Sequence, residues 1–187
     1  MLYILLGVIG FLVAYLFDFV SLRQIPFGKQ AVGLVSFALL GYAHVMVCFQ
    51  GEKLAWPAAL SYLGWPLFLL GTLAMVYSLY VEIPFKKTYV AEGVGDQLVT
   101  TGTYALARHP GVLWYGVVVI GLILVSGRWL MLYAAPIWFL MDVLYVWIQE
   151  KFFFKQMFPG YEQYQRETPM LIPTRRSIGC CLKTWRR

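Results

Sequence analysis

A chain of 187 residues has room for one compact domain. Hydrophobic residues make up 60% of it and charged residues 13%, against roughly 25% charged in a soluble domain, and the mean hydropathy is +0.68, which excludes an ordinary soluble fold. The net charge is +6, but the bases flank apolar runs instead of forming a stripe, which argues against nucleic acid as the partner.

The first apolar run covers residues 2–20. It lacks a basic leader and carries Asp18 where small cleavage-site residues belong, so it reads as a span and not as a secretory signal. Further runs follow at 31–49, 58–81, 112–126 and 129–148. About 20 apolar residues cross a bilayer, about 17 can suffice, and in lipid a helix satisfies its own backbone. The expectation is an all-α integral membrane protein with about five transmembrane helices. The fourth is short, and the fourth and fifth form a tight hairpin turned near Gly127-Arg128. Glycines within the runs read as packing contacts and the many Trp and Tyr residues as interface anchors.

Thirteen of the fifteen Lys and Arg residues fall in the first loop, the third loop and the tail; Lys53 and Arg128 are the other two. The positive-inside rule then puts the N-terminus outside and the C-terminus in the cytoplasm, in a bacterial inner membrane or an endoplasmic reticulum according to the host. The same asymmetry suits contact with anionic membrane lipids. Residues 1–187 read as one membrane domain: 1–81 hold three spans, 82–174 form a candidate catalytic region, and 175–187 are a basic tail. Three cysteines, Cys48, Cys180 and Cys181, make no disulfide framework and read as free thiols.

Two polar stretches interrupt the membrane pattern, residues 82–110 and 150–174. In the first, Pro110 is placed to open the fourth helix, where its missing N–H costs little. Free N–H groups at that start, with Arg108 and His109 just before it, favour an anion such as a carboxylate or phosphate. Snorkelling of Arg108 to headgroups is the plainer alternative. In the second stretch Glu150 ends the fifth span, where a carboxylate opposes the helix dipole and calls for a cationic partner, either Arg108 or an ammonium group on a ligand. Asp142, two turns deeper, and His44 in the second span each fit a functional group or an internally bonded one.

From Leu98 to Pro110 the chain reads Leu-Val-Thr-Thr-Gly-Thr-Tyr-Ala-Leu-Ala-Arg-His-Pro; across the hairpin come Glu150, Phe158, Gly160, Tyr161, Tyr164 and an ending marked by Pro169 and Pro173. These two blocks resemble the isoprenylcysteine carboxyl methyltransferase and phospholipid methyltransferase superfamily, integral membrane enzymes that use S-adenosylmethionine. The resemblance covers about residues 96–174. It implies a cytoplasmic cofactor pocket formed by the helix 4/5 hairpin, the preceding loop and the C-terminal segment. By that likeness S-adenosylmethionine, and S-adenosylhomocysteine as product, would be held by Asp96, Gln97, Leu98, Val99, Tyr104, His109, Pro110, Gly111, Val112 and Glu150. Glu150 would take the ammonium group, and His109 with the helix start the carboxylate or ribose. Arg108 is the implied catalytic residue, orienting a lipophilic or small hydrophobic methyl acceptor; no metal is implied.

Three positions depart from the family pattern. Val112 stands where an aromatic residue is common, Lys151 where a second glutamate is usual, and Val146 where carboxyl-methylating members carry an arginine. The last argues against a prenylcysteine carboxylate as acceptor. On this reading, Glu150→Ala or His109→Ala lowers cofactor affinity and leaves the fold intact. Two other classes remain: a sterol-reductase-like membrane reductase binding NADPH, for which Lys86 and Lys87 are the available phosphate clamp, and a non-catalytic membrane protein that binds a lipid or small ligand.

Overall fold

The computed structural model describes residues 1–84, 88 and 97–185. Asp96, Lys86, Lys87, Arg186 and Arg187, all used in the reading above, lie outside the described residues. Among the described residues the chain is helical, and the β-pairing is a single bridge between Lys53 and Arg128. Helices α1 (Leu2–Ala14) and α2 (Leu16–Leu22) run almost continuously through Tyr15 as one apolar rod. α3 (Gly28–Phe49) returns, and α4 (Ala59–Val76) crosses again before loosening into a π-helical turn, Tyr77–Glu82. After the short α5 (Thr103–Leu106), α6 (Pro110–Ser126) and α7 (Trp129–Ile148) form the expected hairpin. α7 runs on through a second π-helical turn, Gln149–Phe153, into α8 (Phe154–Met157). α9 (Tyr161–Glu167) and α10 (Arg175–Thr184) complete the chain.

Four stretches are long and apolar enough to cross a membrane: Leu2–Leu22, Gly28–Phe49, Ala59–Glu82 and Trp129–Met157. The fourth expected span, α6, has 17 residues. At about 1.5 Å per residue it is roughly 26 Å long, a little less than the ~30 Å hydrocarbon core. Five helices build the bundle, and four of them meet the full crossing length.

The bundle is apolar outside as well as inside. Along the first rod, Leu2, Leu5, Ile9, Leu12 and Leu16 are exposed, while Ile4, Gly7 and Phe11 point inward. Helical spacing separates the two stripes, and the outer one suits lipid. The core gathers around Trp138 of α7, fully buried among Ile4, Phe11, Ala43, Val47 and Met131. Its indole N–H donates to the Ile4 carbonyl at 3.1 Å, and Gly7 leaves the room in which the indole lies. His44 proves to be internally bonded: one ring nitrogen lies 2.7 Å from the Leu40 carbonyl and the other 2.9 Å from the Tyr115 hydroxyl.

α4 and α6 cross with their backbones in contact, through Gly64 and Gly71 on one helix and Gly121 on the other. At the far end, the Leu54 N–H donates to the Gly127 carbonyl and the Trp129 N–H to the Glu52 carbonyl, joining the loop before α4 to the hairpin turn. Gly127 ends α6 with a φ of +55°, the left-handed conformation that makes the turn tight. At the opposite end, Gln149 donates to the Asp18 carboxylate at 2.9 Å, tying the first rod to the end of α7.

Candidate functional site

The π-helical turns Tyr77–Glu82 and Gln149–Phe153 lie at the same end of the bundle, and each carries a carboxylate, Glu82 on the first and Glu150 on the second. An extra residue in a helical turn re-aims the side chains that follow it, and such turns recur at functional sites. Here they aim both carboxylates at one segment, residues 102–109.

Glu82 receives the Thr103 backbone N–H at 2.9 Å, and the Thr103 hydroxyl also bonds to it. The Ser78 hydroxyl lies 2.9 Å from the Thr103 hydroxyl and accepts the Trp114 indole N–H at 3.0 Å. The turn before α5 hinges on Gly102, with φ +60° and ψ −131°, and its missing Cβ is the space the Glu82 carboxylate fills. That backbone region is essentially restricted to glycine and costs another residue about 1–3 kcal/mol. Gly102→Ala should therefore lower the thermal midpoint in detergent. Adding Glu82→Ala should return the steric part of the loss and leave the backbone part. A single variant as stable as the parent would show that the turn is not held this way.

Glu150 is the centre of the second group. Arg108 grips it with two nitrogens, Nε at 2.7 Å from Oε1 and a terminal nitrogen at 2.8 Å from Oε2. His109 Nε2 lies 2.9 Å from Oε1, the Tyr161 hydroxyl donates to Oε1 at 3.1 Å, and the Gln165 amide donates to Oε2 at 3.0 Å. The carboxylate thus takes five hydrogen bonds while only 7% exposed. Arg108 also donates to the carbonyls of Gln165 and Thr168. Burial pushes the His109 imidazole below its ordinary pKa, against the pull of Glu150, and its Nε2 faces the carboxylate as a donor. Burial likewise raises the Tyr161 and Tyr164 hydroxyls, which stay protonated as donors. The guanidinium meets the carboxylate in the bidentate geometry that gives the strongest such pairs.

The other expected residues fall around this knot. Pro110 is the first residue of α6, as expected, and Val112 is buried in its first turn. Gly111 sits against Leu79, close enough that a Cβ would lie 3.1 Å from a Leu79 methyl. Tyr104 is buried in α5, and its carbonyl accepts the Tyr164 hydroxyl at 2.6 Å. The N–H groups of Arg108 and His109 are taken by the carbonyls of Pro169 and Met170, at 2.9 and 3.2 Å, so the segment after α9 covers the approach to the helix start. Gln97 is exposed and Leu98 and Val99 half-buried, and none of the Glu150 hydrogen bonds reaches them. Lys151 points outward, its ammonium 4.6 Å from the Trp147 ring, and Val146 is buried. Asp142 is half-buried on α7, outside the group.

Tyr161, which the second motif block includes without a role, and Gln165, which it does not include, are the further partners of Glu150. Their four-residue separation on a helix was the available signal, since it puts both on one face of α9. A cavity of about 260 Å³ lies alongside, bounded by Thr100, Thr101, Tyr164 and Thr168 and, from α10, by Ser177 and Thr184. It is smaller than the roughly 300–1,000 Å³ of sites that engulf a whole ligand. Arg108, His109 and Glu150 are not among its lining residues.

A family described as a protein of unknown function, DUF1295, matches residues 18–168. The chain belongs to the DUF1295 family. The DUF1295 match begins at Asp18 and ends at Thr168, so it takes in both carboxylates, the Arg-His-Pro segment and α9, and leaves out α10. No curated protein and no solved structure matches the chain.

Proposed function

We propose that this DUF1295 protein is a membrane-embedded methyltransferase that uses S-adenosylmethionine and acts on a lipophilic or small hydrophobic acceptor. The observation that carries the reading is the meeting of the Arg108-His109-Pro110 helix start with Glu150 across the α6/α7 hairpin, at 2.7–2.9 Å. The two sequence blocks that resemble the methyltransferase superfamily come together in space at the residues that carry the resemblance.

The side chains suit a zwitterionic nucleoside in kind. Glu150 is a buried carboxylate at a helix end and requires a cation; Arg108 meets that need, and an amino-acid ammonium group is the same sort of partner. All its acceptor positions are taken, so an ammonium group enters by replacing a donor. Gln165 is neutral and half-buried, whereas His109 and Tyr161 are buried, so it is the donor displaced at least cost. When bound, S-adenosylmethionine supplies a methyl group made electrophilic by its sulfonium. The protein's part is to orient the acceptor through Arg108, to exclude water with the rings of Phe154, Tyr161 and Tyr164, and to hold His109 as a donor. On this reading the N-terminus lies outside and the basic end of the bundle, with α8, α9 and α10, faces the cytoplasm.

Calorimetric titration of detergent-purified protein with S-adenosylhomocysteine and with NADPH tests the assignment. Binding of the first and not the second is expected. Gln165→Ala should bind S-adenosylhomocysteine as well as the parent or more tightly, and Glu150→Gln at least tenfold more weakly, the order of one charge-assisted hydrogen bond. Binding of NADPH alone would make the protein a reductase, and binding of neither would leave a lipid or small-ligand binder. A radiolabelled screen of amine, carboxylate, thiol and sterol-like acceptors then identifies the product.

A further inference from the structure

The segment that follows α9 has a surface of its own. Thr174 and Ser177 cap α10 reciprocally, the Thr174 hydroxyl accepting the Ser177 N–H at 3.2 Å and the Ser177 hydroxyl accepting the Thr174 N–H at 2.9 Å. Three stripes then run along the helix. Ser177, Cys181 and Thr184, spaced by four and three residues, face the protein: Ser177 and Cys181 are buried, and the Thr184 hydroxyl accepts the Gly102 N–H at 2.9 Å. Next to them Ile178, Leu182 and Trp185, with the same spacing, are 45%, 65% and 52% exposed. The remaining face carries Arg175, Arg176 and Lys183, all exposed, with Arg176 also lining the cavity beside Glu167 and Thr168.

α10 packs on α5 and touches a membrane-spanning stretch at its C-terminal end. The Trp185 ring stacks on Tyr77, with centroids 5.2 Å apart and planes 23° from parallel. Tyr77 is part of the Ala59–Glu82 crossing and lies five residues before its end. The C-terminal end of α10 is therefore held at the rim of the bundle. An apolar stripe beside a basic one, on a helix fixed at that level and ending in a tryptophan, has the form of an interfacial helix.

We propose that α10 rests on the anionic headgroups of the bilayer its own chain crosses, with Ile178, Leu182 and Trp185 entering the acyl boundary and Arg175, Arg176 and Lys183 meeting the phosphates. Each base near an anionic surface adds attraction that salt weakens. Because Thr184 holds the Gly102 amide, docking of α10 also steadies the turn that feeds the Arg-His-Pro segment. The inference is independent of the chemistry proposed for that segment.

Hydrogen exchange of the full chain in nanodiscs tests it, comparing purely zwitterionic lipid with a mixture containing anionic phosphatidylglycerol. With three bases near the surface, the α10 amides and the Gly102 amide are expected to exchange at least about tenfold more slowly in the anionic discs, and high salt should erase the difference. The triple variant Arg175→Glu, Arg176→Glu, Lys183→Glu should lose the lipid dependence while α6 and α7 keep their protection. Leu182→Ser should speed exchange of α10 in both lipids. Equal α10 exchange of the parent in the two lipids, or a lipid dependence that survives the triple variant, overturns the proposal.

Discussion

Glu150→Ala is expected to destabilise the protein by about 3–5 kcal/mol, the cost of leaving a buried charge without its partner. The substitution removes the acceptor of five hydrogen bonds and strands the Arg108 guanidinium, 10% exposed, on the carbonyls of Gln165 and Thr168. At roughly 2–4 °C per kcal/mol for a chain of this size, the thermal midpoint in detergent should fall by several degrees to more than ten. Glu150→Gln, which keeps an acceptor oxygen and loses the charge, should fall between. Pairing Glu150→Leu with Arg108→Met should recover most of the loss, because replacing both members of a buried ion pair by apolar groups is often neutral. A midpoint for Glu150→Ala within a degree of the parent would mean that the clasp does not hold these elements together. This differs from the sequence-level expectation that Glu150→Ala spares the fold. The reason is structural: Glu150 joins the α5–α6 connection, the end of α7 and α9, so affinities of its variants have to be measured below their own midpoints.

Gly121→Val is the second large effect expected. A Cβ at Gly121 would lie 2.5 Å from the Phe68 nitrogen and 2.8 Å from its Cα, and a Cβ at Gly64 would lie 2.8 Å from the Val125 nitrogen. The atoms met are backbone, which cannot rotate away, so α4 and α6 must move apart. Overpacking costs about 1–3 kcal/mol where side chains can adjust, and this position belongs at the top of that range or above it. Separating the helices also shifts Ser78 away from Trp114, and with it the support beneath Glu82 and Gly102. Gly41→Ala is the control, since nothing lies within 4 Å of its Cβ position, and no loss is expected there. Unfolding in detergent, followed by the tryptophan fluorescence of each variant, distinguishes the two. Equal midpoints for Gly121→Val and Gly41→Ala would show that the close crossing is not required.

Much of the architecture is legible in the chain itself. Apolar runs longer than any soluble core requires mark the helices, Gly127 marks the hairpin turn, and Pro110 marks the start of α6. In lipid the backbone is satisfied by helices or closed barrels, and continuous apolar runs of this length select the helix. The site is legible in part. Arg108, His109 and Glu150 are identifiable because a carboxylate at a helix end and bases at a helix start each need a partner, and the structure joins them. Gln165 and the Pro169 and Met170 carbonyls are not, because their part depends on where α9 and the segment after it fold back.

What the sequence by itself determined is the helical class, the apolar runs that become the bundle, and a carboxylate and a guanidinium that each need a partner. These follow from hydropathy, helix length and the dipole, which are properties of single segments. The tertiary structure alone decided that the carboxylate is saturated by five donors, that two π-helical turns aim Glu82 and Glu150 at the same short segment, and that α10 is fixed to the rim through Trp185 and Tyr77. Each of those depends on residues brought together across long chain separations, where a hydrogen bond or a ring contact is fixed by packing and no local propensity encodes it.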